Sequence, residues 1–164
     1  MPTGHEVFEQ LSWHWDNQLR PRLEGLTHDE LFWEPVPDCW TVRGGTPDWA
    51  WPSPDPAPVT TIAWRLAHIA ICFHHRWQAH FGPREFVTDV PEDLIGYVDE
   101  GYRLWSTSIL AADEERMNRP HQGPPNSADE YYPFWAVVLH INREVIHHGG
   151  EVALLRDLYA RRLP

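Results

Sequence analysis

The stretch Val137-Val138-Leu139-His140-Ile141-Asn142-Arg143-Glu144-Val145-Ile146-His147-His148-Gly149-Gly150-Glu151 sets polar donors into an apolar run. On a helix, residues four apart stack on one face. His140, Glu144 and His148 then form one stripe, with His147 and Glu151 at its edge. Burying nitrogen and oxygen donors among valines and isoleucines is costly unless something compensates them, and a bound divalent metal would do so. A solvated polar face, or one core histidine with its partner, accounts for the spacing equally well. Three successive turns cannot serve one ion, because His140 and His148 stand about 12 Å apart along the axis at roughly 1.5 Å per residue. His140 is thereby left to packing or to orienting a ligand. Glu144 and His148 remain as a chelating pair, and a third donor has to come from another helix.

Working outward, helical periodicity recurs along the chain. Val7, Phe8, Leu11, Trp15, Leu19 and Leu23 predict an amphipathic helix from about His5 to Gly25. Pro21 should kink it, or restart it after Arg20. Thr27-His-Asp-Glu30 reads as a capping box opening a short helix, Asp29 to Trp33. Thr60-Thr61 caps a second long helix, Ile62 to about Phe81, which is apolar around much of its circumference. His68 lies inside its apolar run and is the best supplier of the third donor. Cys72, one turn on, reads as a small buried hydrophobe and an outside candidate for a ligand. A third helix is predicted over Pro91 to Asn118, and a fourth from the capping box Ser127-Ala-Asp-Glu130 to about Tyr159. Gly149-Gly150 should loosen the fourth, or let a neighbouring helix or a substrate come close. No strand pattern holds up.

Between the first two long helices, Glu34 to Val59 is rich in Pro, Gly and Trp. It cannot sustain a helix or a central strand. Its tryptophans favour an ordered cover over a disordered linker; it either walls one side of a pocket, the first expectation, or is a proline-stiffened crossover. The expected fold is all-α, an up-down four-helix bundle in a single domain over residues 1–164. Bundles of this kind build metal sites from inward-facing side chains, and three protein ligands with open positions describe a catalytic rather than a structural centre.

Composition narrows the function. The 164 residues carry a formal charge of −11 and no lysine, which argues against a phosphate-backbone partner. Two cysteines, Cys39 and Cys72, make no disulfide framework. The first residues show neither a basic n-region nor an apolar h-region, and no run approaches a membrane span, so a cytoplasmic protein with no membrane partner is expected. Eleven histidines raise the chance of a metal or acid–base site without locating it.

Four runs together resemble one known family. They are Trp13-His-Trp-Asp-Asn-Gln-Leu-Arg-Pro-Arg-Leu-Glu-Gly-Leu, Trp33-Glu-Pro-Val-Pro, Thr61-Ile-Ala-Trp-Arg-Leu-Ala-His68-Ile-Ala, and Leu139 through Tyr159. The chain resembles the DinB/YfiT-like metalloenzymes, in particular the branch common in actinobacteria. The resemblance covers nearly the whole chain. It implies a four-helix bundle, often a homodimer, with a divalent metal held by one histidine of the second helix and two ligands four apart on a later one. His68, Glu144 and His148 occupy those positions. Many members carry a histidine where this chain has Glu144, and a carboxylate makes the donor set harder. Zinc is the first expectation, with nickel or manganese as alternatives. The same His, Glu, His set is similar to that of mycothiol-dependent maleylpyruvate isomerase. That likeness implies a small thiol cofactor, mycothiol or another, activated as thiolate toward a small-molecule electrophile. Activation of water for hydrolysis, and a non-catalytic metal- or ligand-binding module, are the alternatives. His147 and Glu151 are the candidates for proton transfer or ligand orientation, and Arg65 and Arg143 for receiving a cofactor or substrate carboxylate.

Overall fold

The structure, a computed structural model, describes residues 2–120 and 132–162. The chain opens on helix α1 (Gly4–His14), where the Thr3 hydroxyl accepts from the Glu6 backbone N–H and the Glu6 carboxylate accepts from the Thr3 N–H, a reciprocal capping box. A π-helical turn (Trp15–Leu19) and a short segment α2 (Arg20–Arg22) continue the same rod. The helical run therefore passes through Pro21 without restarting after Arg20. The wider turn just before it, in which the Arg20 N–H reaches back to the Trp15 carbonyl, gives the proline ring its room. The same turn keeps the apolar stripe in line. Spacing of four residues from Leu11 to Trp15, Leu19 and Leu23 would drift about 40° per step on an ideal α-helix, yet all four side chains are buried.

Helix α3 (His28–Leu31) is capped by the Thr27 hydroxyl on the Glu30 N–H. The other half of the expected capping box is absent, since the Glu30 carboxylate accepts from Arg156 at 2.7 and 3.2 Å. A two-residue hairpin follows, β1 (Val42–Arg43) paired antiparallel with β2 (Thr46–Pro47), a short strand pair that its turn glycines, both at positive φ, make possible. Then come α4 (Ile62–His80), α5 (Leu94–Leu110), α6 (Glu114–Asn118) and α7 (Phe134–Ala160). Two boundaries differ from expectation. Asp93, not Pro91, opens α5, by accepting from the Gly96 N–H, and Asp113 caps α6 as a separate helix after a break at residues 111–113. Ser127 to Glu130 lie outside the described residues. Helix α7 runs through Gly149 and Gly150 unbroken.

The rod that begins with α1 packs with α4, α5 and α7 into an all-α bundle around Leu11, Trp15, Leu66, Phe73, Trp105 and Ile141. Their directions are not strictly alternating. Arg20 meets Asp99 and Phe8 meets Tyr102, so α1 and α5 are antiparallel; Asn142 donates to the Val7 carbonyl and Arg22 to that of Ala153, so α1 and α7 are parallel. His74 stacks on Tyr97, and Trp77 donates to Ser108, so α4 and α5 run the same way. The order is up, down, down, up. Residues 81–93 make that possible, because thirteen residues can span about 43 Å extended at roughly 3.3 Å each, against about 26 Å for the 17-residue α5. The site is positioned by the resulting antiparallel seam between α4 and α7.

Gly149 sits where α1 presses on α7: a Cβ there would come within 2.6 Å of His14 Nε2. Gly150 faces open space. Of the two glycines, only Gly149 is demanded by a neighbouring helix. The 34–59 connection is tied to the head of α4. Trp40 exchanges backbone hydrogen bonds with Val59 and Thr61, and the Trp64 indole N–H donates to the Asp48 carbonyl at 2.8 Å. Among the described residues, no helix is long and apolar enough to cross a membrane.

Candidate metal centre

His68 comes from α4, and Glu144 and His148 from successive turns of α7. Glu144 Oε2 lies 3.6 Å from His68 Nε2 and 3.5 Å from His148 Nε2, and the two imidazole rings meet edge to face at 4.6 Å. Such separations are long for hydrogen bonds. They match the edge of a shared coordination shell, since donors each about 2.05 Å from one zinc in tetrahedral geometry stand about 3.3 Å apart. The three potential ligand atoms all fall within 4.8 Å of one another. Chemically and by spacing, the donor set fits a borderline divalent ion.

The orientation of His148 has a specific cause. Its Nδ1 lies 2.6 Å from Glu151 Oε2, one turn along α7, and 3.3 Å from an Arg65 nitrogen. The shorter, carboxylate contact decides the tautomer: Nδ1–H donates to Glu151, and the Nε2 lone pair is left to face Glu144 and His68. Arg65 in turn lies 3.0 Å from the same Glu151 oxygen and is held over the Trp64 ring at 5.1 Å. Arg65, Glu151 and His148 thus form a chain of contacts ending on a donor. On the other side, Arg143 donates to Glu144 Oε1 at 3.2 Å and to His140 Nδ1 at 2.6 Å, which leaves Oε2 turned inward. His140 lies off the cluster, 3.8 Å from Glu144 Oε1.

Charge states follow from these surroundings. Burial, reinforced by neighbouring His148, lowers the His68 pKa to about 4, so the ring is neutral at neutral pH. Burial also pushes Glu144 and Glu151 upward, but their hydrogen bonds to Arg143 and His148, with the adjoining positive groups, outweigh it and both end below the usual carboxylate range. Cys72 Sγ lies 3.5 Å from His68 Nε2, yet burial and then Glu144 raise its pKa to about 12, so it stays a thiol. Half-buried Trp64 lies flat on His68 at 5.3 Å and is itself packed on Trp40 at 5.7 Å. The face beside the cluster is thus Trp64 of α4, which the long connection backs through Trp40.

The positions offered by sequence divide clearly. His68, Glu144 and His148 are brought together. His147 is 65% exposed and only grazes Glu151 at 3.5 Å. A second grouping of His147, His148 and Glu151 is therefore weak: the 2.6 Å contact inside it is a hydrogen bond, shorter than two ligands of one ion allow. Arg65 and Arg143 face carboxylates of the chain itself. Sequence spacing did not single out Trp64, nor the pairing of Arg65 with Glu151, which joins two helices far apart in the chain.

Two consequences can be measured. Glu151→Leu should weaken metal binding about 10- to 100-fold, the usual cost of losing a carboxylate behind a ligating histidine, while Glu151→Gln, which still accepts from Nδ1–H, recovers much of it. Titration with a chromophoric chelator checks this, and equal affinity in Glu151→Leu and wild type would sink it. The second concerns pH. Between roughly pH 6.5 and 4 the unfolded chain protonates His68 and the native chain, with its pKa near 4, does not; metal-free protein therefore loses stability as pH falls through that window. Urea midpoints should drop more steeply for wild type than for His68→Ala, and parallel profiles would show that His68 contributes nothing.

A sequence profile of the DinB superfamily matches residues 10–152, and the chain belongs to that family. No curated protein and no solved structure matches it.

Proposed function

We propose that this protein is a metal-dependent enzyme in which His68, Glu144 and His148 hold a divalent ion, zinc first, with nickel or manganese as alternatives. The chemistry such an ion would supply is activation of a low-molecular-weight thiol of the mycothiol type for transfer to, or isomerisation of, a small electrophile. The observation that carries the reading is the convergence of three donors from α4 and α7, one of them fixed in tautomer by Glu151. When bound there, the ion would supply a Lewis acid that favours a thiolate at neutral pH.

The chain's own residues do the rest. Arg65 and Glu151 hold His148 in place, Arg143 holds Glu144, and the Trp64 face limits approach to His68. Glu144 and His68 are only partly covered, at 22% and 34% exposure, which leaves an approach for a small molecule. Elemental analysis of protein purified without added metal should find about one equivalent per chain; none would end the reading. With metal present, incubation with mycothiol, glutathione or bacillithiol and a panel of electrophiles should show thiol consumption. Ester or amide turnover without a thiol would assign a hydrolase instead, and silence on every substrate a binding module.

A further inference from the structure

Both arginines that the sequence offered to a ligand's carboxylate are engaged within the fold, Arg65 by Glu151 and Arg143 by Glu144 and His140. Arg76 is not. Among the described residues it has no hydrogen bond, ion pair or aromatic ring, in a chain with 24 acids to 13 arginines. Arg84 and Arg103 share that lack, but both are exposed, whereas Arg76 is half-buried. A cation partly removed from water without a counter-charge is costly, and an incoming anion offsets that cost.

Its position is informative. Eleven residues make about three turns, so Arg76 stands on the same side of α4 as Arg65, which reaches Glu151 on α7. His80, one turn further along α4, meets Phe134 of α7 at 4.7 Å. Arg76 is therefore on the side facing the α4–α7 seam, about 12 Å along the axis from His68 and one turn beyond Cys72. Its positive charge is close enough to act on the Cys72 thiol, itself 3.5 Å from His68.

We propose that Arg76 recognises the carboxylate of an elongated small ligand lying along the α4–α7 seam, whose other, reactive end sits at His68, Glu144 and His148. The metal reading above underlies this, and the ligand class it adds is an anionic one with charge and reactive group at opposite ends. Arg suits the role because its planar fork pairs with a carboxylate through two hydrogen bonds.

Cobalt(II)-loaded protein, titrated with 6-mercaptohexanoate and with its neutral counterpart 6-mercaptohexanol, tests it through the sulfur-to-cobalt absorption. Wild type should bind the acid about tenfold tighter than the alcohol, the worth of one charge-assisted contact. Arg76→Gln should erase that preference without moving the Kd of the alcohol, and Arg103→Gln should keep it. Equal affinities in wild type, or a preference that survives Arg76→Gln, would overturn the proposal while the metal reading stands. Failure to take up cobalt would remove the metal reading and this proposal with it.

Discussion

Arg156→Leu should lower the free energy of unfolding by about 3–5 kcal/mol, the cost of leaving a buried charge without its partner. Arg156 grips Glu30 through two nitrogens, at 2.7 and 3.2 Å, and also donates to the backbone carbonyls of Arg22 and Glu24. Glu30 is only 6% exposed, so water cannot replace the lost guanidinium. The interaction ties the C-terminal part of α7 to both the end of the first rod and α3. Adding Glu30→Gln to Arg156→Leu should recover part of the loss, because an uncharged amide is less costly to bury than a carboxylate. Urea denaturation of the three proteins checks this. A single variant less than about 1 kcal/mol below wild type would mean that the carboxylate finds another partner.

His148→Ala and His68→Ala should each reduce bound metal to background in protein purified without added metal. Each removes one of three donors, and among the described residues neither histidine beside the cluster replaces it: His140 lies beyond the far oxygen of Glu144, and the His147 side chain is largely in solvent. His140→Ala, by contrast, should keep its metal, since it removes an acceptor for Arg143 and none of the three converging donors. Circular dichroism of the metal-free variants separates loss of a ligand from loss of fold. Unchanged metal content in both His68→Ala and His148→Ala would place any ion elsewhere in the chain.

Much of this could be read from residue spacing. The stripe of α1, the apolar run of α4 and the stripe of α7 are local patterns, and local patterns fix which faces are buried. Glu144 and His148 four apart, with His68 embedded in an apolar helix, point at the cluster from sequence alone. What spacing could not supply was direction and partnership. The parallel run of α4 and α5 depends on where the 81–93 connection ends, and an acidic cap at Asp93 competes with a proline at Pro91 that looks equally suited to a first turn. The engagement of Arg65 with Glu151, and of Arg156 with Glu30, joins residues 86 and 126 positions apart, which no periodicity encodes. The unpaired state of Arg76 among the described residues is equally illegible in spacing, because it depends on which acids the neighbouring helices bring near.

Trp64 lies parallel to the His68 ring within 8°, and its indole N–H is pinned to the Asp48 carbonyl. An indole so held has a fixed transition dipole next to the imidazole, and Trp40 beside it offers a second chromophore at 5.7 Å. Occupation or protonation of His68 would therefore change the near-ultraviolet optical activity of the native chain. A difference spectrum against Trp64→Phe isolates that signal from the other nine tryptophans. The protein carries its own optical gauge of the centre, with no label attached.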